Sequence, residues 1–325
     1  MQKLSIDKAI VFDIIISYFG TKSNICPIKY ICEFSETEVF RQVAKAGLVL
    51  EGGSFRGIFT AGVLDCLIEN NVSFPYVIGV SAGSGNAVNY IAGQKGRTQK
   101  VIMHENAEPY FGVEQMLKSK KLLDLDKMLF DYAYDQIPFD FDAFFASDTE
   151  SEFVVANCES GRAEYLSHDN DPDRLLNLCK ASCSVPVISQ PVEIDGSFYL
   201  DGSIIDSIPV KRAMKKGCEK AVVVLTRMDT EMPTDYSKMK LIINLCYKNR
   251  FPKVAEAMIN RKSAYDKQMK ALASLEKDGR AFIIRPEMPS ISHFEGDADK
   301  MNEFYRHGHA IMEKKLAELE EFLNT

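Results

Sequence analysis

No stretch of 18 or more apolar residues occurs in this 325-residue chain, so no transmembrane helix is expected. The nearest approach, residues 9–19, is interrupted by Asp13. Only Lys3 and Lys8 precede it as positive charges, and no convincing small-residue cleavage site follows, so a secretory signal is not expected either. A basic surplus is missing. The 39 Lys and Arg stand against 46 Asp and Glu, a net charge of −7, which argues against non-specific nucleic-acid binding. None of the eight cysteines forms a C-x-x-C pair. A disulfide framework and a zinc site are therefore not expected, and the cysteines read as mostly reduced and buried in a cytosolic protein. Internal repeats and low-complexity segments are absent. What is present is ordinary globular material, 46% hydrophobic and 26% charged, long enough for a sizeable core. One large α/β domain with an appendage, or two domains, fits that length.

Residues 1–46 read as an extension. Their apolar stretch lacks the basic face that a peripheral membrane anchor needs. From residue 48 the pattern sharpens. A short buried-type strand over 48–51 leads to a helix after Gly57, with Ile58, Ala61, Leu64 and Ile68 at helical spacing and Asn70-Asn71 as its end. A second strand over 77–80 runs into a helix over 82–92, rich in small residues. Strand, helix, strand, helix within some 45 residues is the βαβ signature of a parallel sheet. Further on, a helix is expected over 97–110, strands over 153–157 and 163–167, and a helix starting near Asp171 or Asp173. Residues 191–200 read as a hairpin turning at Asp195-Gly196. A helix over 209–216, a strand over 221–226, helices over 237–275 broken near Phe251-Pro252, a strand over 281–285 and a helix over 297–323 complete the chain.

Two turns carry chemistry. Gly79-Val80-Ser81-Ala82-Gly83 is a G-x-S-x-G nucleophile elbow, in which flanking glycines let a serine sit exposed between strand and helix. The new helix aims its positive N-terminus at that serine. The bland alternative is a close-packed turn of small residues. The other turn is Gly52-Gly53-Ser54-Phe55-Arg56-Gly57, whose glycines expose backbone N–H groups to an anion. A nucleotide phosphate is one such anion. The glycine spacing is wrong for a dinucleotide fingerprint, a Walker A lysine is missing, and the second strand ends in Gly79-Val80-Ser81 rather than in an acid. The remaining anion is the oxyanion formed when Ser81 attacks an acyl carbon, with Gly53 and Ser54 as donors and Gly52 beside them. Arg56 either fixes this loop through a local salt bridge or attracts a lipid phosphate. The residues alone leave the base open. Of His104, His168, His293, His307 and His309, none sits in a strand-end turn, and a triad through His293 has nothing nearby to recommend it.

Taken with Asp201-Gly202-Ser203, the two turns resemble the patatin-like phospholipase family, which pairs a G-G-G-x-R-G loop and a G-x-S-x-G elbow with a D-G-G/A aspartate. The approach through Ala181-Ser182-Cys183-Ser184-Val185-Pro186 and Tyr199-Leu200 is similar as well. The resemblance covers about residues 47–226. It implies a three-layer α/β/α fold with a mostly parallel sheet, a catalytic domain over 47–226, and a mostly helical C-terminal region with one added strand over 227–325. It also implies a Ser-Asp dyad without histidine: Ser81 as nucleophile, Asp201 as base, and Gly52, Gly53 and Ser54 as the oxyanion hole. Arg56, Gly57, Gly79, Gly83 and Gly202 support them. Asp195 is the rival aspartate, but it falls in a hairpin turn where Asp-Gly supplies positive φ. Two residues depart from the family pattern, Ser54 for a third glycine and Ser203 for glycine or alanine.

The expected activity is hydrolysis of lipid acyl esters without metal or cofactor, in the cytoplasm and at the membrane periphery. A non-catalytic lipid-sensing module is the rival from another class, and a thioesterase or acyltransferase would use the same dyad. The aromatic stretch 139–145 reads as core before it reads as an acyl channel, and the basic residues of 238–262 as a solvated helix face before a head-group site.

Overall fold

The computed structural model describes residues 41–42, 46–105, 107–112, 117 and 122–325. The extension expected over 1–46 lies almost entirely outside them, as do Cys26 and Cys32. The chain opens with β1 (Ala46–Leu50), α1 (Gly57–Glu69), β2 (Tyr76–Val80) and α2 (Ala82–Ile91). Next come α3 (Arg97–Met103), a π-helical stretch (Lys127–Gln136), α4 (Phe141–Phe145), β3 (Glu150–Asn157), β4 (Ala163–Leu166) and α5 (Pro172–Ser182). The hairpin of β5 (Val192–Ile194) and β6 (Ser197–Asp201) precedes α6 (Val210–Lys215) and β7 (Lys220–Val224). Finally α7 (Lys240–Tyr247), α8 (Pro252–Lys277), β8 (Ala281–Ile284) and α9 (Ala298–Asn324) follow.

Two expectations need correction. The helix expected over 97–110 stops at Met103. His104 takes a left-handed backbone, φ 54°, and its ring meets Tyr110 edge-on at 4.4 Å. Burial of that aromatic pair turns the chain where periodicity alone would continue it. The strand expected to reach 226 ends at Val224, because Thr226 bonds the Glu51 side chain instead of a ladder partner. The expected hairpin turn is present. Asp195 and Gly196 both have positive φ, 51° and 76°, as a two-residue I′ turn requires.

The strands bond in the order β8-β7-β1-β2-β3-β6-β5, with β4 also on β3. The first five are mutually parallel, and β4, β5 and β6 are antiparallel additions. Register places the functional turns. Strand β2 pairs Tyr76–Val80 with Glu150–Val154, and β4 pairs with Phe153–Ala156, so β2 and β4 hold opposite edges of β3. Strand β6 pairs with Val155–Asn157, overlapping β4, and so shares the edge that β2 has just left. The ends of β2 and β6 therefore abut.

The central strands are buried on both faces, as parallel strands between helical layers must be. Leu48 and Leu50 of β1 face a cluster with Ile58, Phe59, Leu175 and Phe304, whereas Val49 between them faces Val210, Ala213, Tyr265 and Leu272. This is a three-layer α/β/α fold with a mostly parallel sheet. On the first face α9 crosses α1 at very short range. A Cβ at Gly62 would lie 2.1 Å from the Tyr305 carbonyl oxygen, and one at Gly308 would lie 2.1 Å from that of Phe59. Among the described residues no helix is long and apolar enough to cross a membrane.

Candidate active site

Ser81 links β2 to α2 with φ 56° and ψ −127°. That region is unfavourable for an L-residue and costs about 1–3 kcal/mol, so the surroundings must impose it. They do so by hydrogen bonds and close approach. The Ser81 amide donates to Ser182 Oγ at 2.9 Å, and that hydroxyl donates to the Val154 carbonyl at 2.7 Å. The Ser81 carbonyl accepts from the Ser84 amide at 2.8 Å. Gly79 and Gly83 let the elbow fold on itself, since a Cβ at Gly79 would lie 2.4 Å from the Gly83 oxygen.

Asp201 is the last residue of β6 and 2% exposed. Its amide donates to the Ser184 carbonyl at 2.9 Å, and its Oδ1 accepts from the Ser203 amide at 2.8 Å. Ser81 and Ser203 line the same space as Asp201, and their side chains favour its charged form. Burial raises its pKa above the ordinary aspartate value, opposed by these groups and by the positive charge of Arg261. Gly202 lies flat on β3, where a Cβ would meet the Val154 oxygen at 2.4 Å. Asp195 lies elsewhere, on the surface, and takes two bonds from Arg174.

The glycine loop passes directly over Ser81. A Cβ at Gly52 would lie 2.8 Å from Ser81 Cβ, and one at Gly53 would lie 2.6 Å from Thr226 Oγ1. Ser54 takes the left-handed conformation, φ 52°. Among the described residues the amides of Gly53 and Ser54 have no protein acceptor. Gly57 opens α1 against Ala82. Arg56 is buried and serves the loop. Its Nη2 donates to His293 Nε2 at 2.7 Å and its Nε approaches the Gly53 carbonyl at 3.4 Å. Burial, followed by the charge of Arg227, lowers the Arg56 pKa to about 9. His293 is held neutral by burial and by the surrounding arginines, so it accepts from Arg56. Its carbonyl takes the Phe55 amide at 3.1 Å.

Several neighbours were not evident from the motifs. Glu51 is fully buried and accepts from the Thr226 amide at 2.7 Å and from the Tyr265 hydroxyl at 3.1 Å. Thr226 Oγ1 also donates to the Gly52 carbonyl at 3.0 Å. Helix α8 reaches in with Arg261, whose Nε donates to the Ser203 carbonyl at 2.9 Å. Gln268 of the same helix donates to the Ile205 carbonyl and accepts from the Ser207 amide. Arg261, Tyr265 and Gln268 recur at i, i+4 and i+7, one face of a helix. That spacing was the available signal, masked by the many exposed lysines around it.

Ser81 borders two spaces. One is almost wholly apolar and runs beneath α2 and α3 among Val88, Ile102, Leu125, Leu129, Phe139 and Leu176. Phe139 thus lines it, while Phe144 is buried in the core. The other is more polar and is lined by Gly53, Asp201, Ser203, Arg227, Arg261 and His293, with Pro186, Ile204 and Phe294 on its apolar side.

Residues 48–214 match the family model described as patatin-like phospholipase, and residues 251–324 match a domain of unknown function, DUF6363. The uncharacterized protein YjjU of Escherichia coli is 34% identical over 191 residues, covering 57% of this chain and 53% of YjjU. Lysophospholipase NTE1 of Debaryomyces hansenii is 25% identical over 285 residues, covering 85% of this chain and 18% of that protein. The chain therefore spans about half of one relative and under a fifth of the other. Among solved structures, VipD from Legionella pneumophila aligns with a TM-score of 0.46 at 14% identity, covering 86% of this chain and 67% of VipD.

Proposed function

Because the chain belongs to the patatin-like phospholipase family, we propose that it is a serine acyl hydrolase that cleaves lipid acyl esters through a Ser81–Asp201 dyad and an acyl-enzyme. One observation carries this reading. A serine on a strained strand-to-helix elbow lies beside a buried carboxylate, at the mouth of an apolar cavity. The lysophospholipase name of the NTE1 relatives points to the same chemistry.

Asp201 accepts the Ser81 proton as Ser81 Oγ bonds to the ester carbonyl carbon. The carbonyl oxygen becomes an oxyanion, held by the Gly53 and Ser54 amides, with the N-terminus of α2 adding its positive end. The C–O bond to the alcohol then breaks, and the alcohol leaves with the proton from Asp201. Water next gives a proton to Asp201 and attacks the acyl-serine. Collapse releases the fatty acid and returns the proton to Ser81. Burial makes Asp201 a stronger base than a solvated aspartate. The acyl chain occupies the apolar cavity.

Access to lipid runs over α7. Leu241 and Leu245 are 75% and 57% exposed, one helical turn apart, with Lys238, Lys240 and Lys248 around them. An apolar ridge flanked by lysines suits the surface of an anionic bilayer.

A fluorophosphonate probe tests the central reading. Wild type should be labelled at Ser81, and Ser81→Ala should be neither labelled nor active on a panel of lipid esters. A folded, unlabelled wild type would end the hydrolase reading.

A further inference from the structure

Gly79, Gly83 and Gly85 stand close together around Ser81, but the third is not held to glycine by its neighbours. A Cβ at Gly79 or at Gly83 would meet a backbone oxygen at 2.4 Å, so packing forbids a side chain at either. Gly85 sits inside α2, and a Cβ added there would meet nothing within 4 Å. Neither conformation nor packing asks for glycine at this position, and glycine inside a helix is less stable than alanine. Gly85 borders the apolar cavity. The room its side chain leaves free therefore belongs to that cavity, one helical turn beyond Ser81.

Two helices give the cavity its length. Ala82, Gly85, Val88 and Asn89 of α2 line it, and from Ser81 to Asn89 a helix advances about 12 Å. From the end of α5 and back along it, Cys183, Cys179, Leu176 and Leu175 line it too, again over about 12 Å. The two helices meet at the elbow, where Ser182 Oγ accepts from the Ser81 amide at 2.9 Å and from the Ser84 hydroxyl at 2.8 Å. At the Asn89 end the lining is polar, and its groups are bonded to one another. Arg97 Nη1 donates to Asn89 Oδ1 at 2.8 Å, and Asn89 Nδ2 donates to Thr98 Oγ1 at 2.8 Å. Arg97 Nη2 donates to the Ile137 carbonyl at 2.7 Å, and the guanidinium lies 5.1 Å from the centre of the Phe139 ring. An alkyl chain pushed past this point would have to separate those partners and leave them unmet, which is costly.

We propose that the cavity is an acyl slot of fixed length, kept open by the missing side chain of Gly85 and stopped by Asn89 and Arg97, which makes esters of medium-length acyl groups the preferred substrates. An extended chain advances about 1.25 Å per carbon, from bonds of about 1.5 Å and angles near 111°, so about 12 Å takes about ten carbons. Gly85 determines specificity and takes no part in making or breaking bonds. That the slot holds the acyl part of an ester rests on the hydrolase reading above; its length and its opening at Gly85 do not.

The chain-length profile of wild type needs no variant and is measured first, on p-nitrophenyl esters from acetyl to hexadecanoyl in one detergent. kcat/KM rises by up to about fourfold per methylene as far as about ten carbons and gains nothing from there to sixteen. This profile keeps the test decisive if a variant does not fold. Gly85→Leu then fills the slot. It hydrolyses the acetyl ester within about twofold of wild type, while its decanoyl-to-acetyl ratio of kcat/KM falls about tenfold or more, the worth of two or more seated methylenes. Gly85→Ala melts above wild type, since the helix gains and nothing is displaced. Binding is read without turnover, by calorimetry of decanoate on Ser81→Ala, and adding Gly85→Leu weakens it about tenfold or more. A profile that still climbs from ten carbons to sixteen, a folded Gly85→Leu with an unchanged ratio, or absence of decanoate binding would overturn the slot. Decanoate binding that Gly85→Leu weakens, with no hydrolysis of any ester, would instead be the failure of the hydrolase reading.

Discussion

Ser81 and Asp201 lie at the facing ends of two strands that share one edge of β3. Val80 is paired with Val154, and Asp201 with the next residue, Val155. Residues 120 positions apart are thus brought together by backbone register, and Ser182 and Ser184 tie each to the segment between them.

This arrangement predicts opposite behaviour for the two Asp-Gly-Ser triplets. Asp201→Asn should reduce ester hydrolysis by about 10³-fold or more, as loss of a group acting directly in the reaction does. Asp195→Asn should leave it nearly unchanged, because asparagine also tolerates the turn. Steady-state rates on one soluble ester decide it. Equal losses in both would refute the assignment of Asp201.

Burial raises the Asp201 pKa, and Arg261 pulls it down. The acid limb of kcat/KM should therefore lie above the value of about 3.9 for a free aspartate. Arg261→Gln should move the limb to higher pH, whereas Arg261→Lys keeps the charge and should move it less. Stability follows with a definite sign. A raised folded-state pKa favours the protonated carboxyl, so this contribution is full below about pH 3.9 and is lost as pH rises through the raised value. Near neutral pH, Asp201→Asn should therefore melt above wild type.

Ser54 and Ser81 both hold positive φ without being glycine. At position 81, Gly should be more stable than Ala by up to about 1 kcal/mol, measured by denaturant unfolding, with both inactive. Ser54→Gly should likewise stabilise by up to about 1 kcal/mol and retain hydrolysis, because its amide is unchanged. Loss of activity in Ser54→Gly would mean that the serine side chain takes part.

Leu241→Asp combined with Leu245→Asp should lower hydrolysis of lipid in anionic vesicles several-fold while leaving a short-chain soluble ester unaffected. Each buried methylene contributes about 0.8 kcal/mol to such contacts. Equal rates on vesicles would remove α7 from the membrane surface.

The parts of this site visible beforehand were those whose chemistry is local. Gly79, Ser81 and Gly83 announce an elbow because a strand-to-helix turn restricts all three at once. Asp195-Gly196 announces a hairpin for a similar reason. The cooperating shell was not legible. Nothing in the stretch around Arg261 separates it from Lys253 or Lys262, yet it alone of these three meets Ser203. Glu51 reads as the end of a strand, and its burial depends on Thr226 and Tyr265, far away in the chain. The early stop of α3 depends on a pairing of His104 with Tyr110 that no helical period reveals.

The crossing of α1 by α9, glycine against backbone at Gly62 and Gly308, bears on how the molecule is made. Helix α1 begins at the glycine loop, so its seating governs where Gly53 and Ser54 lie. Its covering partner is the last of the described elements to leave the ribosome. Until then Phe59 lacks its neighbour Phe304, and the glycine face of α1 has no backbone against it. Assembly of the site thus waits until α9 has emerged, and a growing chain that already carries Ser81 and Asp201 has yet to acquire the clamp that sets the loop above them.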